Sequence, residues 1–189
     1  MSATSDTVIR SMHDLGAAAW FGGSLMDAVG VNGAARNTGS VDKPLAVAAS
    51  GWARWFPIAV AAIGSHVIGG VGLFVANRGR VVGQAGVGAN TAVKTALTGA
   101  AIASTVYSGI LGAHLASEAD ASTGAATAPG AQTPSRVARS QQQLRVLQWA
   151  TPVLTGALIV LGAQQGEQQK PAEIAKGVAA KAFRPGRRA

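Results

Sequence analysis

"FPIAVAAIGSHVIGGVGLFVAN", residues 56–77, decides the fold. It is apolar or small along its whole length and carries one ionisable side chain, His66. A helix needs about 20 mostly apolar residues to cross the hydrocarbon core of a bilayer. Apolar and polar residues do not alternate here, and alanine and glycine dominate, so a barrel strand is excluded. A backbone inside lipid must satisfy its own hydrogen bonds, which leaves a helix.

Three further stretches read the same way, giving spans at about 10–33, 54–77, 92–116 and 144–164. The expected fold is all-α: a polytopic membrane protein with a four-transmembrane-helix bundle over residues 1–166. Residues 117–138 are rich in Ser, Thr, Ala, Pro and Gly and are expected to form an exposed flexible loop. Residues 167–189 are expected to form a basic cytoplasmic tail. Composition agrees. Of 189 residues, 48% are hydrophobic and 13% charged, the latter about half the usual soluble share. The net charge is +8, but the basic residues flank apolar runs and no basic–aromatic nucleic-acid motif occurs, so nucleic acid is not an expected partner. There are no cysteines, which excludes disulfides, iron–sulfur clusters and thiolate zinc sites.

Lys and Arg set the orientation. With four spans, Arg10, Arg78, Arg80, Lys94 and the tail cations share one side. Arg36, Lys43, Arg54, Arg136, Arg139 and Arg145 occupy the other. The bias predicts a plasma-membrane protein with both termini cytoplasmic. Trp52, Trp55 and Trp149 then start their spans at the opposite interface as an aromatic belt. The first segment reads as a retained span, because Asp14 and Asp27 fall where a signal peptide is apolar. The tail cations Lys170, Lys176, Lys181, Arg184, Arg187 and Arg188 are expected to lie on anionic lipid.

Ionisable residues inside a membrane are candidate functional groups. His66 sits near the middle of its span. It could ligate a metal or haem, relay a proton, or simply bond to a neighbouring helix through Ser104 or Thr105. His13 is expected near the cytoplasmic interface and His114 near the opposite one, so the three histidines are expected at three depths. Asp27 is expected to form a structural ion pair with Arg54, and Asp14 an interfacial pair with Arg10 at i+4. Lys94 is expected to snorkel to the headgroups. Small residues within the spans, Ser65 and Gly69 among them, allow close helix packing or a homo-oligomer contact.

The pattern His-x6-Trp-x-Gly-Gly at His13, Trp20, Gly22 and Gly23 resembles the first helix of the copper resistance D family and of the membrane-bound, haem-carrying protoporphyrinogen oxidases. That resemblance implies a haem-linked role for His13; the cofactor itself is left unknown, with haem b as one possibility. Over most of its length the chain looks like an actinobacterial family of small integral membrane proteins, which implies a plasma-membrane location and no particular activity. The leading expectation is a structural or accessory membrane protein. The alternatives are a haem- or copper-binding protein using His13 and/or His66, and an oligomeric transporter or channel subunit.

Overall fold

In the computed structural model, which describes residues 3–36, 44–118 and 125–182, most of the described residues are helical. Helix α1 runs Ala3–Met26 and continues through a π-helical turn, Asp27–Val31, into the short α2, Asn32–Arg36. Then come α3 (Pro44–Gly83), α4 (Val87–Ser117), α5 (Ser135–Glu167) and α6 (Pro171–Ala182). Helices α3, α4 and α5 are long and apolar enough to cross a membrane. At 1.5 Å per residue, α3 is about 60 Å long, roughly twice the thickness of a bilayer's hydrocarbon core. The first expected span is not a helix of that kind. Arg10, His13 and Asp14 interrupt its apolar run, and the π-helical turn begins directly after Met26.

The distribution of side chains is the reverse of a soluble protein. On α3 the inward positions recur at alternating three- and four-residue spacing: Leu45, Ala48, Ala59, Ala62, His66 and Gly69 are buried. Ile58, Val60, Ile68, Val71 and Phe74 face outward, each more than half exposed. α4 repeats the pattern with Ala101, Ser104, Ser108 and Leu111 inside and Val106 and Ile110 outside. Small and polar residues fill the seams while large apolar ones face out. Water does not favour such continuous apolar faces; lipid does.

α1, α3, α4 and α5 pack side by side, each against two of the others, with α1 between α3 and α5. Neighbours are antiparallel. Gly16 of α1 lies against His66, Gly69 against His13, and Gly23 against Trp55. Lys94 of α4 reaches Gln165 of α5, and Ser104 reaches Thr151. Asn32 of the first segment meets Gln148 of α5, and Arg10 meets Gln169 just beyond the end of α5.

The two ends of this assembly are both more ordered than expected. At one, α3 turns into α4 through Gly86, whose φ of 84° suits glycine. α6 touches the turn there, with the Ala85 N–H donating to the Gly177 carbonyl at 3.2 Å, so residues 171–182 are helical, with most of their side chains exposed. Exposed Lys170 and Lys176 pair with Glu167 and Glu173. Those hydrogen bonds raise both ammonium groups above the ordinary lysine value. The Lys181 side chain and Arg184, Arg187 and Arg188 lie outside the described residues. We call this the tail end. At the loop end, Ala125, Ala126 and Thr127 are buried, not exposed. Gln141 Nε2 donates to the Ala125 carbonyl at 2.6 Å, and Ala126 packs with Ala35 and Ala48. Residues 125–128 therefore form part of a folded cap, which corrects the expectation of an exposed flexible loop there.

Candidate functional site

The α1–α3 contact is built on a repeated motif. His13-Asp-Leu-Gly16 and His66-Val-Ile-Gly69 both read His-x-x-Gly. In the antiparallel pair each histidine meets the other motif's glycine. A Cβ on Gly16 would lie 2.5 Å from the His66 backbone nitrogen, and one on Gly69 would lie 2.5 Å from that of His13. The backbones approach as closely as only glycine permits. The two imidazoles consequently stack, with centroids 4.2 Å apart and planes tilted by 38°. The expectation that His13 and His66 lie at different depths is thus overturned. α1 begins at Ala3, so His13 is ten residues inside its helix and level with His66.

His66 is fully engaged. Its Nδ1 donates to the His13 carbonyl at 3.0 Å, since a carbonyl can only accept. Its Nε2 then accepts from the Thr98 hydroxyl at 3.3 Å. The neighbouring-helix partner is Thr98 rather than Ser104 or Thr105. His13 differs. Its Nδ1 bonds Asp14 Oδ1 at 2.8 Å, its Nε2 has no hydrogen-bond partner among the described residues, and the side chain lines a cavity. Asp14 therefore serves His13, not Arg10. A carboxylate that fixes one ring nitrogen leaves the other as an acceptor, proton carrier or ligand.

That cavity, about 420 Å³, opens at the tail end. Three cations line it, each held by a neutral acceptor. Arg10 donates to Gln169 Oε1. Arg80 donates to Gln84 Oε1, Asn77 Oδ1 and the Gln168 carbonyl. Lys94 donates to Gln165 Oε1 at 3.2 Å, so it faces the cavity instead of snorkelling away. Asp14 is the one carboxylate in the lining among the described residues.

A second cavity, about 680 Å³, occupies the loop end between α3 and α4. Trp20, Trp52, Trp55 and Phe56 form much of its wall, and Asp27 opens into it. No ion pair joins Asp27 to Arg54. Arg54 is exposed and donates to Ser50 Oγ one turn earlier at 2.6 Å, while Asp27 is only 5% exposed on the inner side. The Asp27 carboxyl has no hydrogen-bond or ion-pair partner among the described residues. Ser108 Oγ, in the same wall, is buried and also unpartnered. Sequence reasoning missed Thr98, Gly16 and Ser108. The repeated His-x-x-Gly was the available signal for Gly16, and nothing local marks Thr98 or Ser108.

Comparison with protein-family models, with curated proteins and with solved structures finds no match to this chain.

The haem suggested by the first-helix pattern can therefore be tested only on the geometry. The two imidazoles are in contact, which leaves no space for a porphyrin between them, and His66 has no free nitrogen. They do not fit an axial pair. His114 lies near the loop end, beside Ser117. Among the described residues, no three His, Asp or Glu side chains converge as a metal site needs.

Proposed function

We propose that the chain is a four-helix transmembrane bundle of structural or accessory role in a plasma membrane, with both termini cytoplasmic. One observation carries this reading: small and polar residues fill the seams and large apolar side chains face out along α3 and α4. α1 qualifies as the fourth span by its packing. It lies between α3 and α5, and its costliest groups, His13 and Asp14, bond each other. His66 acts as a helix clamp, because both of its nitrogens are spent on holding α1 and α4 to α3.

The absence of native cysteine allows a direct test. Single cysteines replace exposed Asp6, Arg36, Arg78 and Arg136 and are treated with an impermeant maleimide on intact cells. Arg36→Cys and Arg136→Cys are expected to react from outside, and Asp6→Cys and Arg78→Cys only after permeabilisation. Reaction of Asp6→Cys and Arg36→Cys from the same side would remove α1 from the spans.

A second reading rests on the tail-end cavity. Three cations on neutral acceptors leave positive charge in a half-buried site, which suits an anionic phosphate headgroup. In neutral detergent, phosphatidic acid is expected to raise the unfolding temperature of the wild-type protein above that in phosphatidylcholine. Lys94→Gln is expected to lose most of that increment, and equal stabilisation of both proteins counts against the reading.

A further inference from the structure

The loop-end cavity is charged in the opposite sense to the tail-end one. Among the described residues its lining includes no Lys, Arg or His, and Asp27 is its one ionisable group. That carboxyl is 5% exposed and has no hydrogen-bond or ion-pair partner among the described residues. Intramembrane carboxyls are ordinarily paired, because an uncompensated charge away from water is costly. The π-helical turn begins at Asp27, where the Asn32 N–H bonds the Asp27 carbonyl. Such turns are frequent at functional sites. Ser108 Oγ adds a second buried polar atom with no partner in the same wall. Around these groups the walls are apolar and aromatic, and about 680 Å³ lies within the usual range for small-molecule sites.

The geometry points to a binding site for a lipophilic organic cation, its charge against Asp27 and its apolar body between Trp52, Trp55 and Phe56. The chemistry of the wall selects this class. Indole faces attract cations as well as apolar surface. A metal ion would need several oxygen or nitrogen ligands, and Asp27 offers one carboxyl. A neutral apolar guest would leave the carboxyl unanswered. Phe56, Val60, Val106 and Ile110 line the cavity and are also exposed on the outer surfaces of α3 and α4. The cavity thus opens sideways between two helices, toward lipid if the transmembrane reading holds. Only this route of entry rests on that reading; the site itself does not.

Three of the four tryptophans line the cavity, so intrinsic fluorescence reports its occupancy. The full-length protein in neutral detergent is titrated with tetraphenylphosphonium, a permanent cation without exchangeable protons, and with neutral triphenylphosphine oxide. Saturable quenching by the cation is expected. Asp27→Asn should weaken cation binding at least about tenfold, as loss of a charge contact in a low-dielectric site requires, and leave the neutral probe unchanged. Asp27→Glu should retain cation binding. Gly109→Leu is a second variant that does not touch the carboxyl. A Cβ at Gly109 meets no atom within 4 Å, so the leucine should enter the cavity and weaken both probes. Thermal unfolding in the same detergent confirms that each variant is folded. The proposal is overturned if the wild-type protein shows no saturable response, if Asp27→Asn binds the cation as tightly as wild type, or if Gly109→Leu changes neither titration.

Discussion

Gly69→Ala is expected to destabilise the protein by about 2–3 kcal/mol, and Gly69→Leu to prevent the α1–α3 contact from forming. The added Cβ would sit 2.5 Å from the His13 backbone nitrogen and 2.7 Å from the Ile9 carbonyl oxygen. Both are main-chain atoms of a packed helix, so neither can rotate away as a side chain could. The clash outweighs the roughly 0.5–1 kcal/mol that alanine gains over glycine inside a helix. Gly16→Ala should behave alike, because its Cβ would meet the His66 nitrogen and the Ala62 carbonyl. The two sites share one crossing, so the double variant should cost less than the sum once the helices have parted. Gly64→Ala and Gly99→Ala are the controls. Nothing lies within 4 Å of a Cβ at either, and both should be neutral or slightly stabilising. Thermal unfolding in one detergent measures all of them. If Gly69→Ala and Gly64→Ala unfold together, the backbones of α1 and α3 do not meet as described.

This crossing also shows what the sequence could and could not reveal. Residues 56–77 are apolar for long enough that a spanning helix follows from length alone. α4 and α5 follow in the same way. The first segment is harder, since His13, Asp14 and the π-helical turn break its pattern, and its packing rather than its hydropathy places it among the others. Depth is not a local property. Placing His13 at an interface assumed where α1 begins, and an earlier start moved it level with His66. The repeated His-x-x-Gly was visible, but its meaning depends on an antiparallel register that only the packed pair defines. The Asp27–Arg54 pair failed for a related reason. Sequence puts both residues near one end of the molecule, but not on which faces. Arg54 points outward to Ser50, and Asp27 points in. The cavities were invisible because they arise between helices. The alanines at 125 and 126 looked like linker because alanine packs as readily as it solvates.

Trp20→Ala is expected to cost about 3–5 kcal/mol, the range for truncating a buried tryptophan. Trp20 is 1% exposed and is the largest fully buried side chain among the described residues. It packs on Ala62 and Ala101, with Ile63, Ile102 and Leu154 around them, and stands edge-on to His66 with ring centroids 6.3 Å apart. In lipid the loss is mainly of packing, because a hydrocarbon solvent gives apolar surface little reason to hide. Trp20→Phe should cost less, about 1–2 kcal/mol. The indole Nε1 donates to Thr105 Oγ1 at 3.1 Å, but that hydroxyl also donates to the Ala101 carbonyl at 2.9 Å and is not orphaned by the change. A void distinguishes truncation from general misfolding. Trp20→Ala should be partly restored by benzene, which fills apolar cavities that water leaves empty, whereas wild type and Trp20→Phe should gain little. Because the indole lines the loop-end cavity and touches a histidine lining the tail-end one, its removal should also join the two. An alanine variant that unfolds within about 0.5 kcal/mol of wild type would show that the indole does not carry the packing described.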